Sequence, residues 1–160
     1  VYKTSWLIES PSHCKESANW KISQDVRFSS SLERVIAENQ IDIFFSSGTI
    51  QYLVSPLDPL IAVANAGIPL VALTRNNFAA TSRIVAQRAT LAMNGTGSHL
   101  QEYGNLNIYY PNTSIVKAEV VDIFCSKGYN VLLDTSGTSC GVYGNGNYSG
   151  DLVFKKSDPL

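Results

Sequence analysis

Charge is sparse in this sequence and neither sign dominates. Twelve Lys and Arg stand against thirteen Asp and Glu, 16% of 160 residues, for a net charge of −1. That balance offers no general attraction to nucleic acid or to an anionic membrane surface. No apolar run approaches the roughly 18 residues of a bilayer span. Cysteine is scarce: Cys14, Cys125 and Cys140 make an odd count that defines no disulfide framework. Histidine is scarcer still. His13 and His99 are the two present, and His13-Cys14 has no second His/Cys pair at a zinc-like spacing, so no metal site is expected. No G-x-x-x-x-G-K-[ST] loop occurs, and no cofactor is expected.

The 44% hydrophobic content is enough for a buried core, and the length fits a single α/β domain over residues 1–160. A chain opening on Val1 is expected to be a piece of a larger parent protein or a processed one. Cys125 sits in a helical pattern and Cys140 in the Gly/Ser-rich stretch that follows, which leaves open either a local bridge or free thiols. A bridge would point to a periplasmic or extracellular compartment. The sequons at Asn94, Asn112 and Asn147 are about what this Asn, Ser and Thr content yields by chance.

Local patterns give the order of elements. Ser5–Glu9 reads as a first strand and residues 12–25 as irregular. Ser29-Ser30-Ser31 offers an N-cap to a helix carrying Leu32, Val35 and Ile36, with Asn39 as its terminator. Ile41–Phe45 reads as a buried strand leaving through Ser46-Ser47-Gly48-Thr49. Asp58-Pro59 opens a helix that Gly67 stops, and Pro69–Leu73 is a second apolar strand. Phe78–Met93 is expected to be a long helix, Leu106–Tyr110 a strand ended by Pro111, and Ser114–Lys127 a helix closed by Gly128. Tyr129–Leu133 and Leu152–Phe154 complete the strands, with residues 135–150 a Gly/Asn/Ser-rich loop or hairpin between them.

Alternating strands and helices predict a three-layer αβα sandwich with a mostly parallel sheet, Rossmann-like or flavodoxin-like, ending in a C-terminal β-hairpin. In such sheets ligands bind beyond the carboxyl ends of the strands. Those ends carry Ser46, Ser47, Thr49, Thr74, Arg75, Asn76 and Asp134, a set suited to a small polar, sugar-like molecule held by many hydrogen bonds. Arg75, at a strand end, can clamp a hydroxyl pair or a carboxylate. Gly137-Thr138-Ser139-Cys140-Gly141 matches G-x-S-x-G, but both histidines precede it and no helix pattern follows, so a nucleophile elbow is not expected.

The run Leu32–Tyr110 resembles one lobe of the type I periplasmic sugar-binding proteins and the effector domains of sugar-responsive repressors. The likeness lies in Val35-Ile36 leading to Ile41-Asp42-Ile43-Phe44-Phe45 and then in Ala66-Gly67-Ile68-Pro69-Leu70-Val71 running to Thr74-Arg75. It implies a ligand-binding role for Arg75, with Thr74 standing where the family carries an acid. Ser46-Ser47-Gly48-Thr49 also looks like the phosphate cradle of sugar-isomerase domains. Asp42–Leu53 is similar to the receptor domain of propionate-catabolism activators.

The expected function is therefore a sensory, non-enzymatic domain for a polar metabolite, as a homodimer or within a larger protein. The alternatives are a phosphosugar isomerase-like enzyme that would turn over through Glu9, Asp134 or Ser139, and an assembly module of the cell envelope.

Overall fold

The computed structural model describes residues 3–20, 22–90, 106–135, 142–143 and 147–158. The chain divides into two compact units, Val1–Asp42 and Ile43–Leu160.

In the smaller unit, β1 (Ser5–Ile8) pairs in parallel with β2 (Val26–Ser29), joined by α1 (Pro11–Glu16), and α2 (Leu32–Glu38) follows. Residues 12–25, expected to be irregular, thus contain most of α1 and a 3₁₀ turn before β2. The signal was present: Ser10 Oγ accepts from the His13 N–H and Pro11 occupies the first turn, where its missing N–H costs nothing. The cap expected for α2 is made by Ser31, whose hydroxyl accepts from the Arg34 N–H at 3.1 Å. Asn39 closes the helix by donating its side-chain amide to the Val35 carbonyl at 3.0 Å.

The larger unit is built on a seven-stranded sheet. Its strands are β3 (Ile43–Ser47), β4 (Leu70–Ala79), β5 (Arg83–Thr90), β6 (Asn107–Val116), β7 (Tyr129–Asp134), β8 (Val142–Tyr143) and β9 (Asn147–Lys156). β3 and β6 lie parallel to β4, while β9 runs antiparallel between β4 and β7. β3, β4, β6, β7 and β8 therefore point one way, and β5 and β9 the other. α3 (Asp58–Ala66) and α4 (Lys117–Cys125) lie side by side, and Phe124 of α4 stacks on Phe154 at 4.5 Å. Val71, Leu73, Leu152 and Phe154 beneath them are fully buried. On the opposite face the row Phe45–Ala72–Val153–Leu133 ends in exposed Phe45 and Leu133. The result is the mixed α/β fold that the alternation predicts, with a central sheet, flanking helices and a hairpin between β8 and β9. Gly67 and Gly128, which follow α3 and α4, turn the chain toward the next strand with φ of 69° and 79°, a region closed to most side chains.

Two expectations fail here. Phe78–Met93 is no helix: β4 runs on to Ala79, and Arg83–Thr90 is β5, laddered to β6. Ile84, Val85 and Thr90 favour extended backbone, and long-range pairing with β6 outweighs the helical propensity of the alanines. Leu91 and Met93 lie outside the described residues. β6 also passes through Pro111 instead of stopping there, because β4 meets β6 only at Ile115 and Val116. Pro111 thus sits where one edge of β6 is open, which suits a residue with no N–H.

β4 departs from regularity in one place. Leu73 pairs with Leu152 and Asn76 with Gly150, so Thr74 and Arg75 together face Asp151. This is a β-bulge, and Arg75 takes the left-handed conformation at φ 57°, the only non-glycine among the described residues to do so. The extra residue shifts the phase of the strand: Val71 and Leu73 are buried before it, Asn76 and Phe78 after it.

Candidate functional site

The carboxyl end of β3 meets β4 as expected, with Ser47 opposite Thr74, but β4 does not end there: Thr74 lies in the middle of a strand that continues to Ala79. β3 then turns away at Gly48, whose φ is 60° and whose N–H donates to the Thr74 carbonyl at 2.8 Å. Thr49 donates its hydroxyl to the Ser47 carbonyl at 3.1 Å. The Asp151 carboxylate accepts the Arg75 N–H at 2.8 Å, and the Asp151 N–H donates to the Thr135 hydroxyl at 2.9 Å. The carboxyl ends of β3 and β7 are thus stitched to the middle of β4 and β9 around a bulge. A non-glycine residue held in the left-handed region is the kind of strain that the surrounding structure must hold in place. The Arg75 side chain is exposed beside Gly48, with its Cβ 3.7 Å from where a Gly48 Cβ would stand.

Of the residues expected to bind ligand, Ser47, Thr49, Thr74 and Arg75 gather at this edge. Ser46 and Asn76 do not. Ser46 is 8% exposed, in register with Leu73 on the helix-covered face. Asn76 is fully buried and donates to the Gly150 carbonyl at 3.2 Å, so it closes the sheet behind the bulge. Asp134 lies on the same edge two strands beyond β4, about 10 Å away at the usual strand spacing. It forms an ion pair with Lys117 at 2.8 Å. Cys125 is exposed at the end of α4, and Cys140, its suggested partner, lies outside the described residues, as does the Gly137–Gly141 motif.

Beyond the bulge β4 enters a network of amides. The Asn77 side-chain amide donates to Asn112 Oδ1 at 2.8 Å and to the Ser114 hydroxyl at 3.2 Å. Asn112 donates to Gln87 Oε1 at 2.9 Å, and Asn147 donates to Ser114 at 3.0 Å and accepts from Arg83. Gln51, in the 3₁₀ turn Ile50–Tyr52, supplies its side-chain carbonyl to the Asn77 N–H at 3.1 Å. It fills the interval along β4 that neither β3 nor β6 reaches. Sequence reasoning missed these residues because Asn and Gln at such positions read as turn formers, and only the continuation of β4 makes them interior.

In the smaller unit, Glu9 directly follows β1 and precedes the α1 cap. Its carboxylate is 45% exposed and is hydrogen-bonded to His13 through Oε2 at 3.2 Å. Its other oxygen has no hydrogen-bond partner among the described residues. The sequence signal for it is an acid immediately after an apolar strand.

No family model matches the chain, and no curated protein does. Among solved structures the chain is similar to an S-adenosylmethionine-dependent methyltransferase from Clostridium acetobutylicum ATCC 824. The TM-score is 0.57 at 11% identity, over 98% of this chain and 76% of that one. It is also similar to the glycopeptide N-methyltransferase MtfA complexed with S-adenosyl-L-methionine, with TM-score 0.51 and 12% identity over 97% and 72% of the two chains. It spans 61% of the length of a 1,6-didemethyltoxoflavin-N1-methyltransferase from Burkholderia thailandensis, at TM-score 0.49 and 11% identity. At these identities the likeness is one of fold, a Rossmann-like α/β fold shared with methyltransferases.

The resemblance to periplasmic sugar-binding proteins and repressor effector domains is thereby corrected, and with it the sensory sugar-binding function, the isomerase and assembly alternatives, and the leaning against an enzyme. The physical reason is that helix, Gly, Pro and apolar strand in series, as at Ala66–Val71, are common to many α/β folds. What distinguishes this sheet is the antiparallel β9 between β4 and β7, far along the chain from the run that carried the resemblance.

Proposed function

We propose that the chain is part of an enzyme that transfers a methyl group from S-adenosylmethionine to a small molecule. The observation that carries this reading is the likeness, across 98% of the chain, to a structure described as an S-adenosylmethionine-dependent methyltransferase.

The chemistry of the smaller unit fits the nucleoside. A carboxylate at the end of a parallel strand, ahead of a helix, is placed to accept hydrogen bonds from a ribose hydroxyl pair. Glu9 has that position and a free carboxylate oxygen. When bound, S-adenosylmethionine supplies an electrophilic methyl group on a sulfonium. The protein's task is then to hold and orient the two reactants, which itself accounts for much of a methyl transfer rate.

Calorimetric titration of S-adenosylhomocysteine into the 160-residue chain tests the reading. Binding is expected, weakened about tenfold or more by Glu9→Gln, the loss of a charge-assisted hydrogen bond. No heat of binding at millimolar ligand overturns the proposal.

A further inference from the structure

The larger unit contains a cavity of about 300 Å³ that none of the strand-end residues above lines. Its floor is one face of the β5–β6 ladder. Arg83 pairs with Ser114 and Ile84 with Thr113, so Ser82, Ile84, Thr113 and Ile115 fall on the same side. One wall is the Val54–Leu57 connection leading into Asp58 of α3, and another is the first turn of α4, which carries Glu119. α3 and α4 both begin downstream of carboxyl strand ends, those of β3 and β6, where α/β sheets take their ligands.

Three side chains set the chemistry of this space. Thr113 is only 5% exposed, lines the cavity, and has no hydrogen-bond partner for its hydroxyl among the described residues. That leaves the hydroxyl free to donate to, or accept from, a group in the cavity. The carboxylates of Asp58 and Glu119 line the same cavity and make no hydrogen bond or ion pair among the described residues. Among the described residues no Lys, Arg or His lines it, and Val54, Pro56, Leu57, Ile84 and Ile115 are its apolar lining.

The geometry points to this cavity as the seat of a small organic amine. Asp58 and Glu119 draw its ammonium group, Ile84 and Ile115 take its apolar body, and Thr113 meets a polar substituent. A carboxylate or phosphate ester would meet two like charges and no cation, a costly juxtaposition. The volume is that of a small-molecule site. The inference rests on the methyl-transfer reading for its meaning. The nitrogen, once it has given a proton to one of these carboxylates, has the lone pair that takes the methyl group while the sulfonium leaves as a thioether. Its test does not rest on that reading.

2-Phenylethylamine, 2-phenylethanol and 3-phenylpropanoate share an apolar body and differ in charge. Each is titrated into the 160-residue chain while the backbone amide resonances of Ile84, Thr113 and Ile115 are followed. The amine is expected to shift them and to bind at least about fivefold tighter than the alcohol, the carboxylate weakest, as paired charge adds to shared apolar burial. Asp58→Asn with Glu119→Gln, both at exposed positions where folding is retained, should abolish the preference for amine over alcohol. Thr113→Val should weaken both. Equal binding of the three probes, preference for the carboxylate, absence of shifts, or an amine preference that survives the double substitution each overturn the inference. S-adenosylhomocysteine is titrated separately. If it fails to bind while the amine pattern holds, methyl transfer falls and the amine cavity stands. If it binds while the amine pattern is absent, the amine cavity falls and methyl transfer stands.

Discussion

The two stretches of β4 on either side of Arg75 are held by different physics. From Leu70 to Leu73 the strand lies between β3 and β9, its buried side chains are Val71 and Leu73, and Phe154 and Phe124 stack beneath the helices. From Asn76 onward one neighbour is still β9, but the other is Gln51 at Asn77 and then β6 at Phe78 and Ala79, and the side chains of Asn76 and Asn77 enter hydrogen bonds to Gly150, Asn112 and Ser114. One strand therefore passes from a dry core to an amide network within a few residues. Apolar burial is non-directional and tolerates repacking, whereas a buried amide network must be satisfied group by group. The dry stretch supplies stability and the polar stretch supplies definite geometry next to the candidate site.

The sharpest way to break that comparison is in the dry stretch. Phe154→Ala removes a fully buried ring stacked on Phe124 and is expected to cost about 4 kcal/mol in urea-monitored unfolding. A cost near 1 kcal/mol would show that the stacked pair is not central to the core. In the polar stretch Asn77→Ala should cost about 2 kcal/mol, since it strips a donor from both Asn112 and Ser114. A cycle with Asn112→Ala should show coupling of about 1 kcal/mol; additive losses would mean that the network does not act as one.

At the junction, Arg75→Gly is expected to raise stability by about 1 kcal/mol through relief of the left-handed backbone, and Arg75→Ala to give no such gain. Equal effects of the two would place the cost elsewhere than in φ.

The smallest effect concerns pH. Burial holds the Tyr129 phenol above its usual value of 10.0, and its hydroxyl donates to the Ile68 carbonyl at 2.9 Å. Above pH 10 the unfolded chain loses this proton before the folded one does, so stability present below that pH declines as pH rises toward the folded value. Tyr129→Phe should flatten the alkaline limb of the stability profile. A profile unchanged by that substitution would remove Tyr129 as its source.

How much of this was legible beforehand depends on where periodicity is intact. α3 with its Gly67 stop, the Ser31 cap and the Gly128 stop follow from local chemistry that nothing distant overrides. β3, by contrast, runs Ile43–Ser47 instead of over residues 41–45, with Ile43 and Phe45 exposed where a buried strand was expected. β4 past Leu73 was hidden because the bulge shifts its burial from odd to even positions, and a strict two-residue alternation ends there. β5 was hidden because its partner, β6, begins only at Asn107, and a pairing across that interval leaves no local mark. The strand-end polar set was half legible: Ser47 and Thr74 meet as predicted, while Asn76 turns inward on account of the same shift in phase. Asp58 and Glu119 read as ordinary acids in the first turn of a helix, where they also offset the helix dipole. Only the walls around them reveal a cavity.

The two-against-one step opposite Asp151 works as a vernier that sets which side every later residue of the strand presents. Deleting Arg75 would leave Thr74 alone opposite Asp151 and Asn76 still opposite Gly150, so Phe78 would stay inside; straightening the corner with Arg75 kept would turn Phe78 out and carry Asn77 in. The corner therefore acts as slack that takes up one amino acid, so the far end of the sheet and its polar lattice keep their facing only while the step stays bent.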